Sequence, residues 1–244
     1  MIDPLAEKYY SISPYAYVAN NPINAIDPDG EKIVFVNGYL GFGTSQGGSS
    51  YWGGASSSFV KGAQAFFKDN ATPFFSNYDF SLFSANTRRE AGYSYAKENY
   101  DQLVSGMTKG EDVFRIVTHS MGGVFSDGMI AYLKEQGWNV EVAVHFNAWE
   151  PSKIQKWNFT LLFDATVTND WVQSLGINNG NRDIPGANYT HREESDAGYK
   201  YRHRHLIDSG DIWNAFGNYA WYRSMVLTIQ SWLQQNPDIK IYEE

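Results

Sequence analysis

The chain has 244 residues, 43% hydrophobic and 16% aromatic, which is enough for one large domain or two small ones around a substantial core. A net charge of −8 and a pI near 5.1 disfavour a nucleic-acid partner, and no run of like charges suggests a polybasic membrane anchor. The apolar stretches fall far short of a spanning helix of roughly 20 residues. Met1-Ile2-Asp3-Pro4 is too polar and broken to read as a secretory signal. Without cysteine, neither disulfides nor thiolate metal sites can form.

Residues 1 to about 30 are dense in turn signals: Asp3-Pro4, Ser13-Pro14, Asn21-Pro22, Asp27-Pro28 and Gly30. Tyr9, Tyr10, Tyr15 and Tyr17 add aromatic weight without helical or strand period. The string from Asp3 to Gly30, Asp-Pro-Leu-Ala-Glu-Lys-Tyr-Tyr through Asn-Ala-Ile-Asp-Pro-Asp-Gly, resembles the C-terminal end of the Rhs repeat-associated core. The resemblance implies a seam between a large β-cage shell and a variable C-terminal domain, here residues 31–244. In that family the variable domain is commonly a toxin delivered into competing cells. It therefore implies a delivered effector that is part of a larger Rhs protein, with a cognate immunity protein as a partner. Some Rhs proteins cleave themselves at an Asp-Pro-x-Gly pair. Asp27-Pro28-Asp29-Gly30 matches one half, while Asp3-Pro4-Leu5-Ala6 lacks the glycine of the other. Read without the resemblance, both are turns in which Pro fixes φ and Asp bonds its own backbone.

From Lys32 the pattern becomes α/β. Ile33-Val34-Phe35-Val36 is a continuous apolar run, as in a strand buried on both faces. A loop rich in Gly and Ser runs to about Ser58, and a helix is expected over about Ser58–Lys68. Tyr78–Ser84 reads as a strand and Arg88–Ser105 as a helix. Val113–Val117 reads as a strand, followed by a helix to about Lys134. Val140–Phe146 and Phe159–Val167 read as further strands. Ile212–Gln235 is helical and rich in Trp and Tyr. Such alternation predicts an α/β fold, a mostly parallel central sheet covered on both faces by helices.

The pentapeptide Thr118-His119-Ser120-Met121-Gly122 lies between the Val113–Val117 strand and the next helix. A serine on a sharp strand-to-helix turn is pushed out of the sheet, and the new helix aims free backbone N–H groups at it. That arrangement suits a nucleophile whose attack builds an oxyanion. Strand-x-His-Ser-Met-Gly-Gly resembles the nucleophile elbow of α/β-hydrolases, especially lipases and thioesterases. It departs from G-x-S-x-G at the first position, where Thr118 replaces glycine. The alternative is a tight turn carrying an inert serine.

A serine needs a histidine base, and the base an orienting carboxylate, in the chain order Ser, acid, His. Asp170 and Asp164 are the candidate acids, with Asp170 preferred. Asp164 falls inside the apolar run, where an unpaired carboxylate is costly. Thr168-Asn169-Asp170-Trp171-Val172 resembles the Asp-x-Val signature around the family's acid. The histidines are His119, His145, His191, His203 and His205. His119 adjoins the nucleophile, His145 precedes the acid, and His191 sits in a polar loop. Tyr201–Ser209 reads as the last strand and its turn. His-Leu-Ile-Asp-Ser resembles the segment after the family's catalytic histidine, so His205 is preferred and His203 is the alternative. The oxyanion donors are expected to be the Met121 amide and, by resemblance to the His-Gly-x-x-Gly stretch of lipases, the Tyr39 amide. Asn37 stands where that histidine would be. The segment between Asp170 and the histidine pair reads as a cap over substrate or as a solvated insertion. No cofactor is expected. His191, His203, His205 and Asp208 match no common metal motif. The resulting expectation is a serine esterase of lipase type acting on a lipid or other ester. An inert α/β-hydrolase fold used for binding, or a structural Rhs tail, is the alternative.

Overall fold

In a computed structural model of the protein, residues 31–41, 47–80, 84–173, 183–198 and 201–217 are described. The Rhs-like string and its Asp27-Pro28-Asp29-Gly30 motif lie outside these residues, as does the helix expected past residue 217.

The apolar runs form strands in an entirely parallel sheet. They are β1 (Lys32–Val36), β2 (Phe74–Phe75), β3 (Val113–His119), β4 (Asn139–Phe146), β5 (Leu161–Val167) and β6 (Tyr189–Glu193). Their spatial order is β2-β1-β3-β4-β5-β6. Parallel strands need crossovers, and helices on both faces explain why the strand sequences read as unbroken apolar runs. Val34, Val36, Phe114, Ile116, Ala143 and Leu162 belong to one core, together with helices α2 (Ala85–Glu98), α3 (Tyr100–Leu103) and α4 (Gly122–Glu135). Alternate residues, among them Ile33, Phe35, Val117, Val144, Phe163 and Ala165, belong to a second core. There they pack with α1 (Ser58–Phe67), α5 (His205–Ser209) and α6 (Ile212–Ala215).

The strand order reverses direction between β1 and β3. In an open parallel sheet that crevice, at the carboxyl ends of the strands, is where ligands bind. Helix α4, which starts beside that crevice, packs closely against α2. A Cβ on Gly92 would fall 1.8 Å from the Phe125 carbonyl oxygen, and one on Gly128 would fall 1.9 Å from that of Arg89. Only glycine permits that backbone approach.

Three expected elements differ. Tyr78–Phe80 form no strand; the edge strand is the nearby β2. Tyr78 and Phe80 instead close an aromatic cluster on Phe125, with ring centroids 4.6 Å and 5.1 Å away, so their bulk serves packing rather than a period of two. The helix expected over Arg88–Ser105 breaks at Asn99, whose side-chain amide donates to the Tyr95 carbonyl (2.8 Å). The last strand is not in Tyr201–Ser209 but is β6, inside the segment read as a cap or insertion; residues 202–204 form a 3-10 turn that leads into α5.

Candidate active site

Val113 to His119 extends as β3, and the chain then turns sharply at Ser120, whose φ is 54°. A non-glycine residue held there costs about 1–3 kcal/mol and persists only when its surroundings enforce it. The Ser120 amide donates to the Phe146 carbonyl (3.0 Å), and its carbonyl accepts from the amides of Gly123 (3.2 Å) and Trp149 (3.0 Å). Helix α4 begins two residues later. A Cβ on Gly122 would lie 2.5 Å from the Asn37 carbonyl oxygen and 2.6 Å from that of Val36, so glycine alone lets the helix start against β1. At Thr118 the hydroxyl lies 2.7 Å from His145 Nδ1, inside the sheet. Burial pushes the His145 ring down to about 3, so it is neutral at pH 7 and the threonine has a satisfied partner. The larger residue is thus accommodated by the neighbouring strand.

Asp170 follows β5, its amide donating to the Val167 carbonyl (3.0 Å). Its Oδ1 accepts from the Val172 amide (3.0 Å), and its Oδ2 accepts from His203 Nδ1 (2.6 Å). Both side chains are buried. With Nδ1 donating to a carboxylate, Nε2 carries the lone pair of the neutral ring. That nitrogen is buried and has no hydrogen-bond partner among the described residues. The His203 ring lies against the turn, 4.6 Å between centroids from His119. The Ser120 hydroxyl likewise makes no hydrogen bond among the described residues.

The preferred histidine of the sequence reading, His205, is placed elsewhere. It opens α5, one-third exposed, with Nε2 3.2 Å from Glu193 Oε1. The difference follows from the missing strand. In a strand, residues two apart share a face, so His203 and His205 would point together. In a 3-10 or α-helical turn they diverge by about 200°, which sends His203 inward and His205 outward. His191, on β6, pairs with Glu193 (3.0 Å). Among the described residues no three His, Cys, Asp or Glu side chains gather as a metal would require.

Asp164, the alternative acid, is far from solvent beneath Ile184. Its Oδ2 accepts from the Ile184 amide (2.9 Å), while Oδ1 has no partner among the described residues. Burial raises its pKa to about 7, an effect that Asp183 reinforces and Arg192 opposes. A folded-state value above the ordinary 3.8 means full stability at low pH and a loss as pH rises through about 7. Asp164→Asn copies the neutral form. The contribution is full only below the unfolded value of 3.8 and is gone above about 7, so the variant is expected to raise the thermal midpoint at pH 9 and leave that at pH 3.5 almost unchanged. Differential scanning calorimetry at both pH values checks this, and an equal shift at both rules it out. Asp127, buried on α4 and also raised to about 7, keeps part of the alkaline loss in the variant.

Against Ser120 stands the loop that leaves β1. The Asn37 side chain pins it: Oδ1 accepts from Ser76 Oγ (2.7 Å) and the Tyr78 amide (3.3 Å), and Nδ2 donates to the carbonyls of Gly38 and Tyr78 (both 2.8 Å). A Cβ on Gly38 would meet Ser120 Cβ at 2.8 Å and the His119 carbonyl at 2.9 Å, so loop and turn are in contact. On the other side Met121 caps α4, and its amide donates to no group among the described residues. A helix N-terminus is the positive end of the backbone dipole.

No family model and no curated protein matches this chain.

Proposed function

We propose that the chain is a serine ester hydrolase with Ser120 as nucleophile, His203 as base and Asp170 as the carboxylate that orients the base. The observation that carries the reading is the strained φ of Ser120 at the switch point of a parallel sheet, with the Asp170–His203 pair, from the loops after β5 and β6, packed against the adjoining His119. The chain order Ser, Asp, His is that of the α/β-hydrolases. His203 takes the Ser120 proton on Nε2 as Oγ attacks the ester carbonyl. The Met121 and Tyr39 amides hold the oxyanion. The imidazolium then protonates the leaving alkoxide, and water releases the acyl group by the same steps. The bond between Ser120 and Nε2 closes in the Michaelis complex, since hydroxyl–imidazole contacts in ligand-free hydrolases are commonly long. Lipid esters are the favoured substrates and membrane damage the favoured outcome, within a delivered Rhs effector that pairs with an immunity protein. That part rests on the resemblance of residues 3–30 and on the lipase-like turn.

A fluorophosphonate probe is expected to label the folded protein at Ser120, found by mass spectrometry of its peptide; absence of labelling together with absence of ester turnover sinks the reading. Gly38→Ala is a second check. The added methyl would sit 2.7 Å from the Tyr51 hydroxyl and 2.8 Å from Ser120 Cβ, pushing the oxyanion loop off the turn. Because a lost oxyanion donor costs roughly 10²–10³-fold, kcat is expected to fall by about that much. Gly198→Ala serves as the control, since among the described residues its Cβ would meet nothing closer than Tyr201 at 3.8 Å. Equal activity of the two variants counts against the loop's role.

The specific observation favouring an inert, binding-only fold is that the hydroxyl and the imidazole are not bonded. That alternative predicts no labelling and no change on Ser120→Ala in a bacterial toxicity assay.

A further inference from the structure

His119 is buried and makes two hydrogen bonds, and these reach both sides of the site. Its Nε2 lies 2.7 Å from the carbonyl oxygen of His203, which can only accept, so Nε2 carries the proton. Its Nδ1 is then the acceptor, and the Tyr51 hydroxyl, at 2.5 Å, must donate. Burial holds the ring neutral, with the neighbouring His203 and Arg204 adding to the effect, so this pattern is the one populated at neutral pH. The Tyr51 hydroxyl in turn rests on Gly38, the first residue of the oxyanion loop after Asn37. The His203 carbonyl takes a second bond from Asn147 Nδ2 (2.9 Å), whose Oδ1 accepts from the Val167 amide (2.7 Å) at the end of β5. Arg204 stacks over the Tyr51 ring, 4.7 Å from its centroid, and donates to the Tyr51 carbonyl (2.6 Å).

We infer that His119 is a positioning residue: through the Tyr51 hydroxyl on one nitrogen and the His203 carbonyl on the other, it sets the distance between the oxyanion loop, the nucleophile turn and the base. The inference rests on the hydrolase reading above. The geometry favours it over simple core filling because an apolar side chain of the same volume would fill the space and make neither bond. His119 also immediately precedes Ser120, so one residue ties the nucleophile's backbone to the base's backbone. Asp170 fixes the direction of the His203 ring, and His119 fixes where that ring is anchored. The residue touches neither substrate nor the reacting atoms.

The test compares His119→Ala, His119→Gln and Tyr51→Phe with the unmodified chain. Gln offers one donor and one acceptor at the end of its side chain, so it restores the pattern, whereas Ala removes both. His119→Ala is expected to lower kcat by about 10²-fold, the scale of a misplacement near 1 Å, with KM little changed. His119→Gln is expected to recover most of that loss, and Tyr51→Phe to lose about tenfold. A second readout needs no substrate: the low-field proton resonance of His203 Nδ1 bonded to Asp170. It is expected in the parent and in His119→Gln, and to be broadened or lost in His119→Ala. An unchanged resonance and unchanged kcat in a folded His119→Ala overturn the inference. So does a loss that appears only in KM, or one that His119→Gln shares in full. If no ester is turned over by the parent while the resonance responds as described, the hydrolase reading fails and the positioning role stands. Should His119→Ala not fold, the Gln and Phe variants still decide through the same two readouts.

Discussion

Ester turnover by Ser120→Ala is expected to fall by about 10⁴–10⁶-fold with the fold intact. The size follows from what the hydroxyl does in the proposed reaction. It is the only atom of the chain that becomes bonded to the acyl group, and no other side chain takes over when it is absent. What remains is catalysis by the oxyanion hole and by binding alone. The intact fold follows from what the hydroxyl does in the resting protein. It accepts and donates no hydrogen bond among the described residues, so its removal strands no polar partner. The backbone bonds to Phe146, Gly123 and Trp149 that hold the turn do not involve the side chain. Alanine at a φ of 54° is strained much as serine is, so the stability change is expected to be within about 0.5 kcal/mol. Hydrolysis of a short chromogenic ester and of phospholipid vesicles, with the thermal midpoint measured in parallel, checks both halves. Turnover within tenfold of the parent removes Ser120 from the mechanism. A fall matched by unfolding leaves the question to the fluorophosphonate label.

The inner strands were legible because they are buried on both faces: Ile33–Val36 and Phe114–Val117 could hardly be anything other than inner strands once the helices between them were recognised. The turn at Ser120 was legible for a related reason, since a serine followed by two glycines between such a strand and a helix has few geometries open to it. The last strand was not. Tyr189–Glu193 reads Tyr-Thr-His-Arg-Glu, polar and only half-buried, because among the described residues it is an edge strand, paired to β5. An edge strand needs no apolar run. Missing it shifted the strand onto Tyr201–Ser209 and blurred which histidine turns inward. Asn147 and Tyr51 gave no local signal either. Their roles come from contacts 56 and 68 residues away in the chain, to His203 and His119.

That ambiguity between the two histidines yields the sharpest contrast. His203→Ala is expected to lower turnover by about 10⁴–10⁶-fold, as Ser120→Ala does, because a serine without its base is a poor nucleophile at neutral pH. His205→Ala is expected to stay within about twofold of the parent, since that ring faces Glu193 at the surface, and exposed ion pairs contribute roughly 0–1 kcal/mol. Asp170→Asn should fall between them, at about 10⁴-fold, because the amide can present its NH₂ to Nδ1 and so favour the wrong tautomer. The variants also differ in how they combine. Groups that act on one proton transfer are not additive, so Ser120→Ala with His203→Ala should be no slower than either alone. A His205→Ala change should simply multiply into whichever background it is placed. Turnover and fluorophosphonate labelling rates for the single and double variants provide the measurement. Were His205→Ala the inactive one and His203→Ala active, the 2.6 Å contact between Asp170 and His203 would be a structural tie, and the base would have to reach Ser120 by a rearrangement of α5.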